Sequence, residues 1–305
     1  MRDVQTLTGK VAIVTGGTRG IGLYTAMGLA TVGAEVIILG SNPEQGGNAV
    51  SFIKKRVPRA NISFTKVDFG SLQGIADFAR AFNEKGVGLD ILVNNAGIYA
   101  REKLWKTVDG FESTFGINYL APFSLTAQLL PSLRKANAPR VVNVSSLAAY
   151  YAKIHFDDIQ YERAKWYLFS QVYSQSKLAI LAFTEELQRR SDAKGWGLTA
   201  LSVMPGLVRT RLLEKEIDRY STLGQIFKSF ILPCISNSAK EGAKYSLFAA
   251  TSPDITPGAL YGPPYSYVAY RGPIRKIWIP RLATDPKVGG KLWEISEKLT
   301  KVRWG

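Results

Sequence analysis

The 305-residue chain predicts an α/β protein built on a doubly wound parallel sheet, folded as a single domain. Three observations carry that expectation. Short apolar runs alternate with helix-like segments through the first two hundred residues, the pattern of successive βαβ units. The runs are apolar throughout rather than at every second position, as in strands buried on both faces. No proline- or glycine-rich linker divides the chain, and the right-handed crossover rule sends consecutive helices to the two faces of one sheet.

The elements follow in order. KVAIVTGG (10–17) is a β-branched run ending in glycines, and IGLYTAMGLATVG (21–33) is helical. AEVIILG (34–40) is a second buried strand, followed by a polar helix over 43–57. NISFTKVD (61–68) and the helix SLQGIADFARAFNEK (71–85) form the next unit. LDILVNNAG (89–97) leads into a helical region over 109–136, RVVNVSS (140–146) into a helix over 164–193, and LTALSVMPG (198–206) is the sixth strand. Beyond 206 the pattern is less regular. Residues 207–305 read as a substrate cap and tail, with one late edge strand near ALYG (259–262).

Composition narrows the chemistry. Hydrophobic residues make up 46%, enough for a substantial core. Cys234 is the only cysteine, which excludes an internal disulfide and a cysteine-rich metal site. His155 is the only histidine, so multi-histidine metal sites are excluded, and Ser-His-Asp hydrolysis stands only if His155 serves it. MRDVQTLTGK has no apolar leader, and no run approaches the roughly 20 apolar residues of a spanning helix, so a reducing, cytoplasmic location is expected. The formal charge is +15. An anionic ligand or a membrane surface would suit it; nucleic acid is disfavoured because no nucleic-acid motif accompanies the charge. The segment YSYVAYRGPIRKIWIPR (265–281) mixes aromatics with cations, as a lid, an oligomer contact or a lipid-facing patch would.

The first strand ends TGGTRGIG (15–22), with Gly16, Gly20 and Gly22 framing Thr18, Arg19 and Ile21. Glycines between a strand and a helix permit a tight turn and let the backbone approach a pyrophosphate at the helix N-terminus. No carboxylate follows the second strand, where Gly40, Ser41 and Asn42 stand, so nothing there repels a 2′-phosphate, and Arg19 is suited to bind one. NADP is therefore expected over NAD.

TGGTRGIG, NNAG (94–97), NVSS (143–146), YSQSK (173–177) and MPGLVRT (204–210) come in the order found in short-chain dehydrogenases/reductases, and VVNVSSLAAYYAKIHFDDIQ with YSQSKLAILAFTEELQR resembles the retinol-dehydrogenase-like branch. The resemblance implies a Rossmann fold and hydride transfer between a nicotinamide cofactor and a carbonyl or alcohol on a hydrophobic small molecule. It implies Tyr173 as general acid/base, Lys177 as the cation that favours the phenolate and bonds the nicotinamide ribose, and Ser146 as the partner of the substrate oxygen. Ser145 competes with Ser146 for that role. Lowering a tyrosine pKa by about three units needs about 4 kcal/mol of differential interaction, for which a close lysine and a cationic nicotinamide are the candidates. Asn118 matches the asparagine that bends a helix and anchors a relay water. Asp68 and Phe69 would flank the adenine, although Asp68 also suits a helix N-cap region. Asn95, Ala96 and Gly97 would shape the site beside the adenine ribose, and Pro205, Gly206, Val208 and Thr210 would hold the carboxamide.

Twenty-six residues separate Ser146 from Tyr173, more than that family usually shows. The aromatic-rich piece, within 148–172, is expected as a loop over the cleft that shapes an apolar pocket with residues near 211–235; a plain surface elaboration is the alternative. The branch often carries an N-terminal membrane anchor, and no such segment opens this sequence, so membrane residence does not carry over. Peripheral bilayer contact and a homo-oligomer stay open, as does a catalytically silent cofactor-binding regulator of the same fold. An epimerase is disfavoured by the glycine spacing, and an enoyl reductase by the close Tyr–Lys pair.

Overall fold

The computed structural model describes residues 6–99, 103–164, 167–206, 208, 237–264 and 272–304. Seven parallel strands, β1 (Val11–Thr15), β2 (Glu35–Gly40), β3 (Ile62–Lys66), β4 (Ile91–Asn94), β5 (Arg140–Val144), β6 (Thr199–Val203) and β7 (Leu260–Gly262), lie in one sheet. A short antiparallel strand, β8 (Arg275–Ile277), completes the order β3-β2-β1-β4-β5-β6-β7-β8. The helices are α1 (Gly20–Thr31), α2 (Pro43–Arg56), α3 (Leu72–Glu84), α4 (Ser113–Phe115), α5 (Ala121–Leu133), α6 (Phe169–Lys194), α7 (Ala239–Thr251), α8 (Arg281–Thr284) and α9 (Pro286–Thr300).

Alternation along the strands divides the core in two. Ile13, Ile37, Leu39, Leu92 and Val141 face one way, onto α3, α5, α6 and α9. Ala12, Val14, Val36, Ile38, Val93 and Val142 face the other, onto α1, α2 and α7. Both sets are apolar because both sheet faces are covered.

Local chemistry fixes the helix ends. Asn42 caps α2 by accepting from Gln45 N at 3.0 Å, Pro43 fits the first turn, and Lys54, Lys55 and Arg56 complement the last. Ser238 and Glu241 form a capping box on α7. Gly195, left-handed at φ +62°, ends α6.

The structure corrects several expectations. The late strand near 259–262 is not the edge, because β8 pairs beyond it. The helix expected from 164 begins at Phe169, after a 3-10 turn (Leu147–Tyr151) and an irregular stretch. The helical region expected over 109–136 starts at Ser113 and passes through a π-helical turn, Gly116–Leu120, between α4 and α5. The described residues after 236 are mostly regular. Among them α9 lies over α5 and α6: Trp293 meets Phe123 at 5.1 Å, and Trp304 meets Phe123 at 5.4 Å and stacks on Trp196. Arg190 lies 4.4 Å above the Trp293 ring and, with Arg189, binds the buried Glu186 carboxylate. Among the described residues, no helix is long and apolar enough to cross a membrane.

Candidate active site

Apart from Asn118 in the π-helical turn and Tyr173 and Lys177 on α6, the predicted site segments within the described residues leave the sheet at its carboxyl edge or come just after it. Gly16 follows β1, Ser41 follows β2, Asp68 and Phe69 come just after β3, Asn95–Gly97 follow β4, Ser145 and Ser146 follow β5, and Pro205 and Gly206 come just after β6. The strand order reverses between β1 and β4, and a crevice at such a point is where ligands bind in open α/β sheets.

Gly16 and the β4 loop touch at that reversal. A Cβ on Gly16 would lie 2.9 Å from Ala96 Cα, and one on Gly22 would lie 2.3 Å from the Gly16 carbonyl oxygen. Asn95 Nδ2 donates to the Thr15 and Gly16 carbonyls at 2.9 and 3.3 Å, while Thr15 Oγ1 accepts from the amides of Asn95 and Ala96, both at 2.9 Å. Asn95 and Thr15 therefore brace the glycine turn from inside the protein. Thr15 went unnoticed in the sequence because its partner lies 80 residues away.

The turn fits a dinucleotide. Gly20 holds φ +58° with open space where a side chain would stand. Arg19 occupies the N-cap of α1 without a capping side-chain bond, is exposed, and no acid lies in the first turn. The amides at that end are thus oriented for an anion. Gly40 is crowded by Thr18, whose Cγ2 would lie 3.0 Å from a Cβ there. Ser41 and Asn42 are exposed, although Asn42 already caps α2. Ser71, not Asp68, caps α3; Asp68 Oδ1 accepts from Gly70 N at 2.9 Å. Phe69 packs half-buried on the core, and Ile21 Cγ1 and Val208 Cγ2 both press on the Gly242 position. Thr210, the pocket residues near 211–235, Cys234 and residues 265–271 lie outside the described residues.

Ser146, Tyr173 and Lys177 converge where β5 meets α6. Burial distinguishes Ser145 from Ser146. Ser145 is 4% exposed and donates to the Lys177 carbonyl at 2.8 Å, tying strand to helix. Ser146 starts the 3-10 turn, accepts from Ala148 N, and its side chain lies near enough to Tyr173 to favour the phenolate. Lys177 Nζ is buried, donates to the Val144 carbonyl at 3.0 Å, and stands 5.7 Å from the Tyr173 ring centroid. A Cβ on Gly97 would come within 3.6 Å of that Nζ.

Burial dominates the electrostatics of the pair. Burial pushes the Tyr173 phenol up to about 12, against the smaller lowering from Ser146. Burial also pushes Lys177 down to about 8. Without a cofactor, desolvation of a phenolate outweighs the Ser146 contribution, and the phenol is held protonated.

Asn118 lies in the π-helical turn, a rare feature that often marks functional positions. Its Oδ1 accepts from Ile98 N at 2.8 Å, and its Nδ2 donates to the Ile98 carbonyl at 2.9 Å and to Ser176 Oγ at 3.0 Å. Both N–H groups are committed to protein partners. The side chain is a clamp between the β4 loop and α6.

Tyr99 was not singled out in the sequence, yet its ring centroid lies 4.5 Å from that of Tyr173 and 6.0 Å from that of Phe169. No spacing rule marks it; only its place two residues past NNAG does. The extra segment docks on both catalytic elements. His155 N and the Ile159 carbonyl bind the Gln175 side chain at 2.8 and 2.9 Å, and Tyr167 donates to the buried Glu112 carboxylate at 2.9 Å. A cleft of about 480 Å³ opens between this segment and α6, lined by residues including Tyr151, His155, Tyr161 and Ser174. Ser146, Tyr173 and Lys177 do not line it, so it is not the reacting pocket.

A glycine turn at the reversal of a parallel sheet, with serine, tyrosine and lysine beside it, defines a dinucleotide-dependent dehydrogenase. Residues 10–221 match the short chain dehydrogenase family, and the chain belongs to the short-chain dehydrogenases/reductases, in the retinol-dehydrogenase-like branch. Retinol dehydrogenase 12 of Homo sapiens is 36% identical over 298 residues, covering 98% of this chain and 88% of that protein. Polyprenol dehydrogenase of Homo sapiens is 39% identical over 250 residues, covering 81% and 74%. A crystal structure of an uncharacterized protein from Mycobacterium paratuberculosis matches with a TM-score of 0.78 at 34% identity, covering 99% and 97%. Pseudomonas aeruginosa RhlG, solved with NADP at its active site, matches with a TM-score of 0.65 at 26% identity, covering 85% and 96%. The chain is an NAD(P)-dependent oxidoreductase acting between alcohols and carbonyls.

Proposed function

We propose that this chain, as a single domain, is an NADP-dependent enzyme that interconverts a carbonyl and an alcohol on a hydrophobic small molecule, with Tyr173 as general acid/base. The observation that carries the reading is the convergence of Ser146, Tyr173 and Lys177 between β5 and α6, beside a braced glycine turn. When bound, the cofactor supplies the hydride. Gly16, Gly20 and the α1 amides would hold its pyrophosphate, and Arg19 a 2′-phosphate. Lys177 would bond its ribose.

In the reduction direction, Ser146 Oγ orients the substrate oxygen and Tyr173 donates its proton there as negative charge develops. A phenol that burial keeps protonated is a proton donor at neutral pH. In the oxidation direction a cationic ring would have to offset the burial. The names of the relatives, retinol and polyprenol dehydrogenases, support a lipophilic substrate. So does the aromatic wall of Tyr99, Phe169 and Tyr173.

The test is a titration of NADPH and NADH followed by nicotinamide fluorescence, beside turnover of lipophilic aldehydes and ketones by the unmutated protein and by Tyr173→Phe. Tighter NADPH binding, with turnover lost in the variant while binding persists, is the expected result. Turnover undiminished by the variant would remove Tyr173 from the chemistry, and tighter NADH binding would remove the NADP assignment.

A further inference from the structure

We infer that the face made by β8, α8 and the 3-10 turn after Ser146 docks on anionic phospholipid bilayers. Trp278 is 63% exposed, Tyr151 77% and Leu282 42%. Large apolar side chains at such exposure, grouped rather than scattered, mark an interaction surface. The turn and the strand end form one surface: the Tyr150 ring lies 5.3 Å from that of Trp278, and Tyr150 Oη donates to the Trp278 carbonyl at 2.5 Å.

Charge surrounds these aromatics on one side of neutrality. Residues 272–291 carry five cations, Arg275, Lys276, Arg281, Lys287 and Lys291, against one carboxylate, Asp285. All five cations are exposed. Asp285 is engaged as the N-cap of α9, and the half-buried Glu185 offsets Lys276 alone. On the turn side the exposed Lys153 extends the cationic rim, against one exposed carboxylate, Asp157, next to the Phe156 ring that Lys291 covers.

Tryptophan and tyrosine lie stably at the headgroup level, leucine adds burial in the acyl boundary, and lysine and arginine are drawn to anionic lipid. A single-stranded nucleic acid would share the cations and the aromatics but gain little from Leu282, since its bases bind by stacking. The composition therefore favours the bilayer. Ser146 caps the turn that ends at Tyr151, so docking would bring the proposed catalytic serine within five residues of the lipid surface. Lipid docking is independent of the catalytic reading, because it is measured without turnover.

The experiment is co-sedimentation of the full chain with phosphatidylcholine vesicles, with and without a one-third share of phosphatidylserine, at low and high salt. Binding to the phosphatidylserine vesicles that weakens with salt is expected. Each lost cation should weaken it about fivefold, so Arg275→Glu with Arg281→Glu should lose roughly 25-fold or more. Trp278→Ser should lose several-fold, while Arg134→Glu, at the C-cap of α5, should change nothing; circular dichroism confirms that each variant is folded. The proposal is overturned by equal binding to both vesicle types, by no binding, by patch variants that bind as the parent does, or by an Arg134→Glu loss as large as theirs. It is also overturned if an RNA oligonucleotide displaces the protein from the vesicles at equal phosphate concentration, which would make the patch a nucleic-acid surface.

Discussion

Ser296 Oγ and Tyr119 Oη lie 2.7 Å apart in the core, joining α9 to the residue beside Asn118. Ser296 already donates to the Leu292 carbonyl, so Tyr119 is the donor of this bond. Ser296→Ala would leave a buried phenol without an acceptor, at a cost of about 1–3 kcal/mol. Tyr119→Phe removes the donor and leaves Ser296 paired with Leu292, so it should cost less. In urea unfolding, the double variant should be more stable than the sum of the two single losses implies. Additive losses would show that the bond contributes no coupling.

Gly22→Ala should weaken both fold and cofactor binding. The new methyl would lie 2.3 Å from the Gly16 oxygen and 2.5 Å from Asn95 Nδ2, so the glycine turn must shift. Overpacking of this kind costs about 1–3 kcal/mol, more than the ~1 kcal/mol a helix gains from alanine. Gly47→Ala is the control. It lies in α2 with nothing within 4 Å, and it should stabilise the protein slightly. Thermal melts and NADPH titration of both variants separate the two effects.

Lys177→Met should abolish turnover and raise the melting temperature near neutral pH. The folded protein holds this lysine at about 8, below its unfolded value of 10.5, so burial penalises the charged form. Between those values the unfolded chain binds more protons, and the unmutated protein gains stability as pH rises from about 8 to 10.5. The advantage of methionine should therefore be largest below pH 8 and shrink above it, less about 1 kcal/mol for the Val144 carbonyl left unpaired. A melting temperature unchanged or lowered at pH 7 would show that the lysine is not desolvated as described.

Tyr167→Phe should loosen the segment between Ser146 and Tyr173. The hydroxyl is one of the donors to the buried Glu112 carboxylate, which also holds the amides of Thr114 and Phe115 at 2.7 and 2.6 Å. Bonds to a charged group contribute about 1.5–3 kcal/mol. Amide hydrogen exchange should speed up over 155–168 in the variant, with the strands unchanged. Exchange identical to the parent would mean that Gln160, Gln175 and the Lys106–Glu162 ion pair hold the segment alone.

The sheet was legible because its strands are unbroken apolar runs, a pattern that tolerates errors of a residue or two at each end. Ser146, Tyr173 and Lys177 were singled out by the order of motifs that carries the family resemblance, not by their own spacing. What escaped depends on partners distant in sequence. The π-helical turn at Asn118 leaves no mark in GINYL, which reads as an ordinary helix. Strand β8 is three residues with two cations, too short and too polar to register against the apolar runs. The depth of Tyr173's burial also escaped, because a sequence displays the neighbouring lysine and conceals the desolvation that a bound cofactor would have to offset. Tyr99 and Thr15 act through contacts that only the fold creates.

The wedge of Trp293 and Trp304 between Phe123, Phe183 and Trp196 sets an order on biosynthesis. Phe123 and Phe183 leave the ribosome 110 residues or more before the indoles that cover them. Through that interval the half-made sheet carries a naked aromatic face, the kind of surface chaperones hold. Nascent chains arrested before residue 286 should cling to such holdases, and chains released after residue 304 should not.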